Sequence, residues 1–207
     1  MTAHKSDNIR KEISRIDRAE REQRNGHPAA TLWLTGLSGS GKSTLANQLE
    51  RRLFDLNKPV FWLDGDNVRF GLNRDLGFAH EDRTENIRRI AEVAALFNSA
   101  GHIVVASFIS PYRKDRQSAM EIIGRDRFYQ IYLNTPLAVC EDRDAKGLYA
   151  KARAGEIQEF TGINAPYEPP ENPALTLDTS ESSVLECVNQ MTRLLGIDDE
   201  LESGSGI

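Results

Sequence analysis

The stretch Gly36-Leu37-Ser38-Gly39-Ser40-Gly41-Lys42-Ser43, followed by Thr44, decides how this chain is read. It fits the pattern G-x-x-x-x-G-K-[ST], a phosphate-binding loop set between a strand and a helix. Glycines at 36, 39 and 41 open backbone conformations closed to residues with a Cβ, so that successive N–H groups can turn inward around an anion. The positive end of a helix starting near Lys42 adds to that field. Lys42 would reach the β- and γ-phosphates of a nucleoside triphosphate, and the Ser43 hydroxyl would bind Mg²⁺. A glycine-rich turn with an exposed lysine is the bland alternative, and the flanks argue against it.

On one side of the loop, Thr31-Leu32-Trp33-Leu34-Thr35 reads as a short buried strand. On the other, Leu45, Leu49, Leu53 and Leu56 recur at helical spacing. Asn57-Lys58-Pro59 then turns the chain into a second buried strand, Val60-Phe61-Trp62-Leu63-Asp64. Ile87, Ile90, Ala91, Ala94 and Phe97 share one side of a helix over 82–99, which ends at Gly101. Residues 103–109, apolar on both faces, read as a central strand. Pro111 reads as the first position of another helix. Two short strands (128–133 and 174–177) and a closing helix carrying Val184, Leu185, Val188, Met191, Leu194 and Leu195 complete the series. This alternation predicts an α/β fold, a central parallel sheet with helices on both faces. Ligands of such sheets bind beyond the carboxyl ends of the strands, where the P-loop, Asp64 to Asp66 and the segment around Ser110 would meet.

Residues 1–28 read as a charged N-terminal arm ending in Asn25-Gly26-His27-Pro28, with a short amphipathic helix suggested by Ile9, Ile13 and Ile16. Residues 198–207 read as a disordered tail. With 207 residues, 39% hydrophobic and 28% charged, the chain suits one globular domain with a tail at each end. A net charge of −5 speaks against nonspecific nucleic-acid or membrane binding, so an anionic ligand needs a local basic site. No apolar run reaches spanning length, no signal core follows Met1, and Cys140 and Cys187 make no metal pattern and read as reduced thiols. A cytoplasmic protein is expected.

Asp64-Gly65-Asp66 follows the second strand. Its carboxylates suit Mg²⁺ held through water and proton removal from an attacking hydroxyl, although an acidic turn would look the same. Arg69, Arg74, Arg83, Arg88 and Arg89 crowd the next segment. Guanidinium pairs suit phosphate or sulfate, which points to an anionic second substrate, with about half of these arginines expected on solvated helix faces. Ser110 is either a helix N-cap or a residue facing the transfer site. The basic, glycine-bracketed run Lys146 to Gly155 reads as a mobile lid or a plain surface helix. Phe160 stacks on a base or belongs to the core.

Together these pieces closely resemble the adenylylsulfate kinase (APS kinase) family. The match rests on Gly36 to Thr44, Asp64 to Arg69, Leu76-Gly77-Phe78, Arg83 with Glu85 to Arg89, Phe108 to Arg113, Lys146 to Tyr149, Ala152 to Gly155 and Phe160 to Gly162, and covers about residues 29–197. The resemblance implies a P-loop nucleotide kinase fold and ATP-dependent phosphorylation of the ribose 3′-hydroxyl of adenosine 5′-phosphosulfate (APS), giving 3′-phosphoadenosine 5′-phosphosulfate (PAPS) and ADP, with Mg²⁺. It implies Asp66 as base or orienter of that hydroxyl. Arg69, Arg83 and Asn86 would sit on the phosphosulfate end, Phe78 and Phe160 would sandwich the adenine, and Ile109, Ser110 and Lys146 would line the site. It also implies a phosphoserine intermediate at Ser110, although direct in-line transfer needs none when positioning and charge neutralisation suffice. A homodimer and a functional link to ATP sulfurylase follow from the same resemblance. Ala145 and Ala150 depart from it, where proline and lysine are frequent. Other P-loop kinases are the competing enzyme reading. A nucleotide switch is the competing non-enzyme reading, but Asn57-Lys58 is followed by Pro59-Val60 and so lacks the guanine-recognition motif.

Overall fold

A computed structural model describes residues 10, 12, 14–144 and 146–197. In chain order the elements begin with α1 (Arg18–Asn25), β1 (Ala30–Gly36), α2 (Lys42–Asp55), β2 (Val60–Asp64), α3 (Asn67–Phe70) and α4 (His80–Ser99). They continue with β3 (Ile103–Ser107), α5 (Arg113–Ile123), β4 (Phe128–Leu133), α6 (Leu137–Arg143), α7 (Leu148–Arg153), β5 (Leu175–Leu177) and α8 (Val184–Leu194). The strands form one sheet in the order β2-β3-β1-β4-β5, with every pairing parallel.

Strand β1 lies in the middle, and each of its residues is buried. Its side chains alternate between two cores, as a pleated strand requires. Leu32 and Leu34 point to the layer of α2 and α8, against Leu45, Leu49, Leu53, Val188 and Met191. Trp33 points to the opposite layer, against Ile87, Ile90, Ala91 and Ala94 of α4 and Ala119 and Ile123 of α5. The chain leaves β1 for β2 and β3 on one side and reaches β4 and β5 on the other. The strand order therefore switches beside the carboxyl end of β1, where the P-loop begins. The expected α/β architecture is the one observed.

Several local expectations differ. Within 103–109 the strand β3 stops at Ser107, although it is interior and fully buried as expected. Strand β2 is an edge strand and only partly buried; Phe61 is 45% exposed and stacks on Phe97. Its Trp62 N–H donates outward to the Glu50 carboxylate at 2.9 Å. Helix α5 starts at Arg113, two residues after Pro111, and its first N–H donates to Glu168 Oε2 at 2.7 Å. Ser110 is therefore not its N-cap. Leu185 is 68% exposed; α8 turns Cys187, Val188 and Met191 inward instead and is secured by a capping box of Ser183 and Glu186.

The helix anticipated around Ile9, Ile13 and Ile16 is also displaced. The described helix is α1, capped by Asp17 and Glu20, while Ile16 is exposed before it and Ile9 and Ile13 lie outside the described residues. Asn25 Nδ2 donates to Gly101 O at 2.8 Å, and Glu22 accepts the Ala29 N–H at 2.8 Å, so α1 lies against the start of the sheet. The tail 198–207 falls outside the described residues.

Leu49 is fully buried between sheet and helices. Leu49→Ala should lower unfolding free energy by about 2–5 kcal/mol, read from urea denaturation. An unchanged midpoint would contradict this packing.

Candidate active site

The P-loop is shaped by where its carbonyls go. Gly39 and Gly41 hold φ of +74° and +91°, and a Cβ on Gly39 would stand 2.7 Å from the Cys140 carbonyl oxygen. Arg143 Nη1 donates to Gly39 O at 3.3 Å, while Thr135 and Thr179 hydroxyls donate to Ser40 O at 3.3 and 3.1 Å. Lys42 Nζ donates to Gly36 O at 2.9 Å and Leu37 O at 2.6 Å. With these carbonyls tethered, and the Ser40 N–H given to Leu37 O at 3.2 Å, the remaining N–H groups of the loop are the ones left to meet an anion. Burial pushes the Lys42 ammonium down to about 8, with opposing help from Cys140 and Asp64. Inert buried thiols fit the cysteines: burial raises both, and Cys140 Sγ donates to Thr135 O.

Beside the loop, Asp64 Oδ2 accepts from the Ser43 and Ser107 hydroxyls, both at 3.1 Å. Its Oδ1 accepts the N–H groups of Asp66 and Asn67. Trp62 Nε1 in turn donates to Ser107 Oγ at 2.8 Å. Asp64 and Ser43 thus place a carboxylate and a hydroxyl together, a hard oxygen pair of the kind a divalent cation shares with phosphates. Asp66 follows at the start of α3, exposed, and forms an ion pair with Lys146. The basic run is neither wholly a loop nor wholly a surface helix. Lys146 precedes α7, whose Tyr149 is buried and donates its hydroxyl to Ser38 O at 2.9 Å.

The other half of the site is gathered by arginines. Arg69 donates to the carbonyls of Leu76 and Gly77 and lies over the Phe78 ring at 4.4 Å. Arg83 donates to Phe78 O, to Thr161 Oγ1 at 2.9 Å and to Glu159 O, joining the Phe78 loop to the Phe160 segment. Phe78 is 66% exposed, whereas Phe160 is 8% exposed, edge-on to Tyr149 and packed with Cys140 and Ala152. Asn86 is buried and accepts from Asn73 Nδ2 at 2.9 Å. Arg88 and Arg89 turn away to Glu85, held down at about 2 by them, and Arg89 also pairs with Asp75. Those two are the helix-face arginines. A cavity of about 550 Å³ opens between Leu37 and residues 162–167.

Ser110 is buried, at φ +40°. Its hydroxyl accepts from Trp33 Nε1 at 3.1 Å and points to Phe108 O at 3.4 Å. Thr35 Oγ1 donates to Ile109 O at 2.7 Å, and Arg116 Nη1 donates to Ser110 O at 2.6 Å. Arg116 also donates to Glu168 O, and Tyr167 meets Thr35 Oγ1 at 2.9 Å with its phenol pushed up to about 12 by burial. Arg116, Tyr167, Thr135, Arg143, Thr179 and Tyr149 all shape the site, and sequence reading missed their roles. Apart from Tyr149, which stood in the supposed lid, they carry no local pattern; each acts on a segment far away in the chain.

Because Lys42 is lowered from 10.5 to about 8, its burial weighs fully on the folded chain below pH 8 and is relieved as the pH rises toward 10.5. Phosphates need the ammonium. Triphosphate binding at pH 8 should therefore take up a fraction of a proton, and affinity should fall at higher pH. Calorimetry in buffers of different ionisation enthalpy checks this; a buffer-independent heat would exclude it.

The adenylylsulphate kinase family profile matches residues 28–178. The adenylyl-sulfate kinase of Lactiplantibacillus plantarum is 54% identical over 191 residues, 92% of this chain and 92% of that one. That of Staphylococcus carnosus is 52% identical over 191 residues, covering 92% and 96%. Among solved structures, the Mycobacterium tuberculosis APS kinase in complex with AMPPNP and APS superposes with a TM-score of 0.79 at 47% identity, covering 82% of this chain and 99% of that one. A Sinorhizobium meliloti gluconokinase shares the fold alone, with a TM-score of 0.53 at 19% identity over 87% and 99% of the two chains. A P-loop closed on Asp64, arginines gathered around Phe78 and Phe160, and identity above one half along most of the chain lead to one conclusion: this chain belongs to the adenylylsulfate kinase family.

Proposed function

We propose that this chain transfers the γ-phosphoryl group of ATP to the 3′-hydroxyl of APS, giving PAPS and ADP in sulfate assimilation. The observation that carries the reading is the meeting of a complete P-loop with Asp64, Asp66 and Lys146, next to Arg69, Arg83 and Asn86. Residues 29–197 form the kinase domain in this reading, between the charged arm 1–28 and the tail 198–207.

The transfer forms a bond from the ribose 3′-oxygen to the γ-phosphorus and breaks the bond to the β–γ bridging oxygen, which leaves with ADP. Asp66 takes the hydroxyl proton, and its ion pair with Lys146 sets its place beside the start of α7. Lys42 moves its ammonium from the loop carbonyls onto the β- and γ-phosphates, and the N–H groups of Gly36 to Thr44 hold them. Ser43 and Asp64 would hold Mg²⁺, which when bound supplies charge neutralisation to the phosphates. Arg69, Arg83 and Asn86 hold the phosphosulfate, and Phe78 and Phe160 flank the adenine. Ile109, Ser110 and Lys146 line the same site. Direct in-line transfer is supported by the burial of Ser110 and its engagement by Trp33, which suit a wall more than a nucleophile. A homodimer, a functional link to ATP sulfurylase and a cytoplasmic location belong to the same proposal and rest on the resemblance. No helix among the described residues is long and apolar enough to cross a membrane.

Incubation with ATP, Mg²⁺ and APS should yield PAPS and ADP by chromatography and mass, and adenosine 5′-monophosphate should not replace APS. Absence of PAPS from folded, ATP-binding protein would overturn the reading. Asp66→Asn should lower kcat by about 10²- to 10⁴-fold with the KM for ATP little changed. Ser110→Ala should keep turnover; its loss with both substrates still bound would restore a phosphoserine step.

A further inference from the structure

Asn86 is one of the residues assigned above to the anionic end of the acceptor, and an amide can do that work in only one of its two orientations. Its NH₂ group attracts an anion, and its carbonyl oxygen repels one. In the structure Asn86 Oδ1 accepts from Asn73 Nδ2 at 2.9 Å, and Asn86 Nδ2 has no partner among the described residues. Asn73 is fully buried, and its own Oδ1 meets no donor. Its backbone is fixed by Asn73 N–H to Val68 O at 2.9 Å and by Leu76 N–H to Asn73 O at 3.1 Å. The amide at 73 thus works through its donor end alone.

We infer that Asn73 is a positioning residue that fixes the orientation of the Asn86 amide, so that Asn86 presents N–H donors and not its carbonyl to the sulfate or phosphate of the acceptor. This rests on the reading of Asn86 as an acceptor ligand. Two arrangements of the pair keep a hydrogen bond between them. The observed one leaves one buried carbonyl oxygen of Asn73 unpartnered. The alternative, with both amides turned over, buries the Asn73 NH₂ in place of that oxygen and turns the Asn86 carbonyl toward the acceptor. A buried N–H needs a partner more strictly than a buried carbonyl does, and in the observed arrangement Asn73 gives an N–H to Asn86. Turning Asn86 alone would set two NH₂ groups against each other. Substrate therefore meets an amide already oriented, without having to turn it during binding.

Three variants test this. Asn73→Leu removes the bond to Asn86 together with the orphaned oxygen. It should fold with unchanged or raised thermal stability and raise the KM for APS by about 10- to 100-fold, the range for a hydrogen bond to a charged group, leaving the KM for ATP within about two-fold. Asn73→Asp places an acceptor where the donor was, which turns Asn86 over. Its KM for APS should be raised at about pH 8 and fall back toward wild type at about pH 5.5, as the buried carboxyl protonates and donates to Asn86 Oδ1. A merely structural role would move both KM values together and give no such pH dependence. Wild-type KM for APS in both variants, or equal rises for both substrates with lost thermal stability, would overturn the inference. Asn86→Ala separates the two ideas. If it leaves the KM for APS unchanged, the assignment of Asn86 to the acceptor fails. If it raises that KM while the Asn73 variants do not, only the role of Asn73 fails.

Discussion

The structure depends on keeping the P-loop carbonyls away from the place where phosphates go. A triphosphate brings concentrated negative charge to a chain whose own net charge is −5, so a few inward N–H groups and one ammonium must outweigh both. Glycine makes the turn possible, but it does not decide which way each peptide faces. That decision comes from Arg143, Thr135 and Thr179, which hold Gly39 O and Ser40 O from outside, and, until a nucleotide claims its ammonium, from Lys42 at Gly36 O and Leu37 O. Thr179 follows β5 and Arg143 ends α6, so the loop takes its shape from most of the sheet's carboxyl edge.

The acceptor half is built on a different principle. Its groups sit on helices and loops: Arg69 on α3, Arg83 and Asn86 on α4, and others on the Phe78 loop, the Ile109–Ser110 turn and the segment around Phe160. Arginines tie these pieces together, largely through backbone carbonyls. Arg83 joins the Phe78 loop to Glu159 and Thr161, and Arg116 joins Ser110 to Glu168. A guanidinium suits this because its donors diverge in a plane and its charge persists despite the desolvation that lowers Arg116. Loops strapped at their carbonyls keep their side chains free for a ligand.

Much of this was legible in the sequence because it is local. The P-loop, the acidic pair after β2, the helix over Ile87 to Ala94 and the parallel alternation all show in spacing or residue type, and the specific motifs carried the family resemblance. What was not legible depends on distant partners. Pro111 looked like a helix start, but the first N–H of α5, that of Arg113, is met by Glu168, more than fifty residues on, so the helix could begin at Arg113. Leu185 continued a helical stripe by spacing, but α8 is short enough to leave that end of the stripe outside the contact. Asn73 gave no sign at all: its meaning lies in which end of Asn86 it touches.

The Glu50 carboxylate on Trp62 N–H has a consequence for assembly. A parallel sheet that ends in an open strand offers a template on which another chain's strand can grow, a common route to aggregates. Here the template is blocked at mid-strand by an acid from the neighbouring helix, so a newcomer would have to strip that bond and leave a carboxylate unpaired. Copies of this chain that associate along this flank would do so through side chains such as Phe61, which is on β2 and exposed, and not by extending the sheet. Such an association can form and dissolve without touching the backbone ladder on which the catalytic edge is hung.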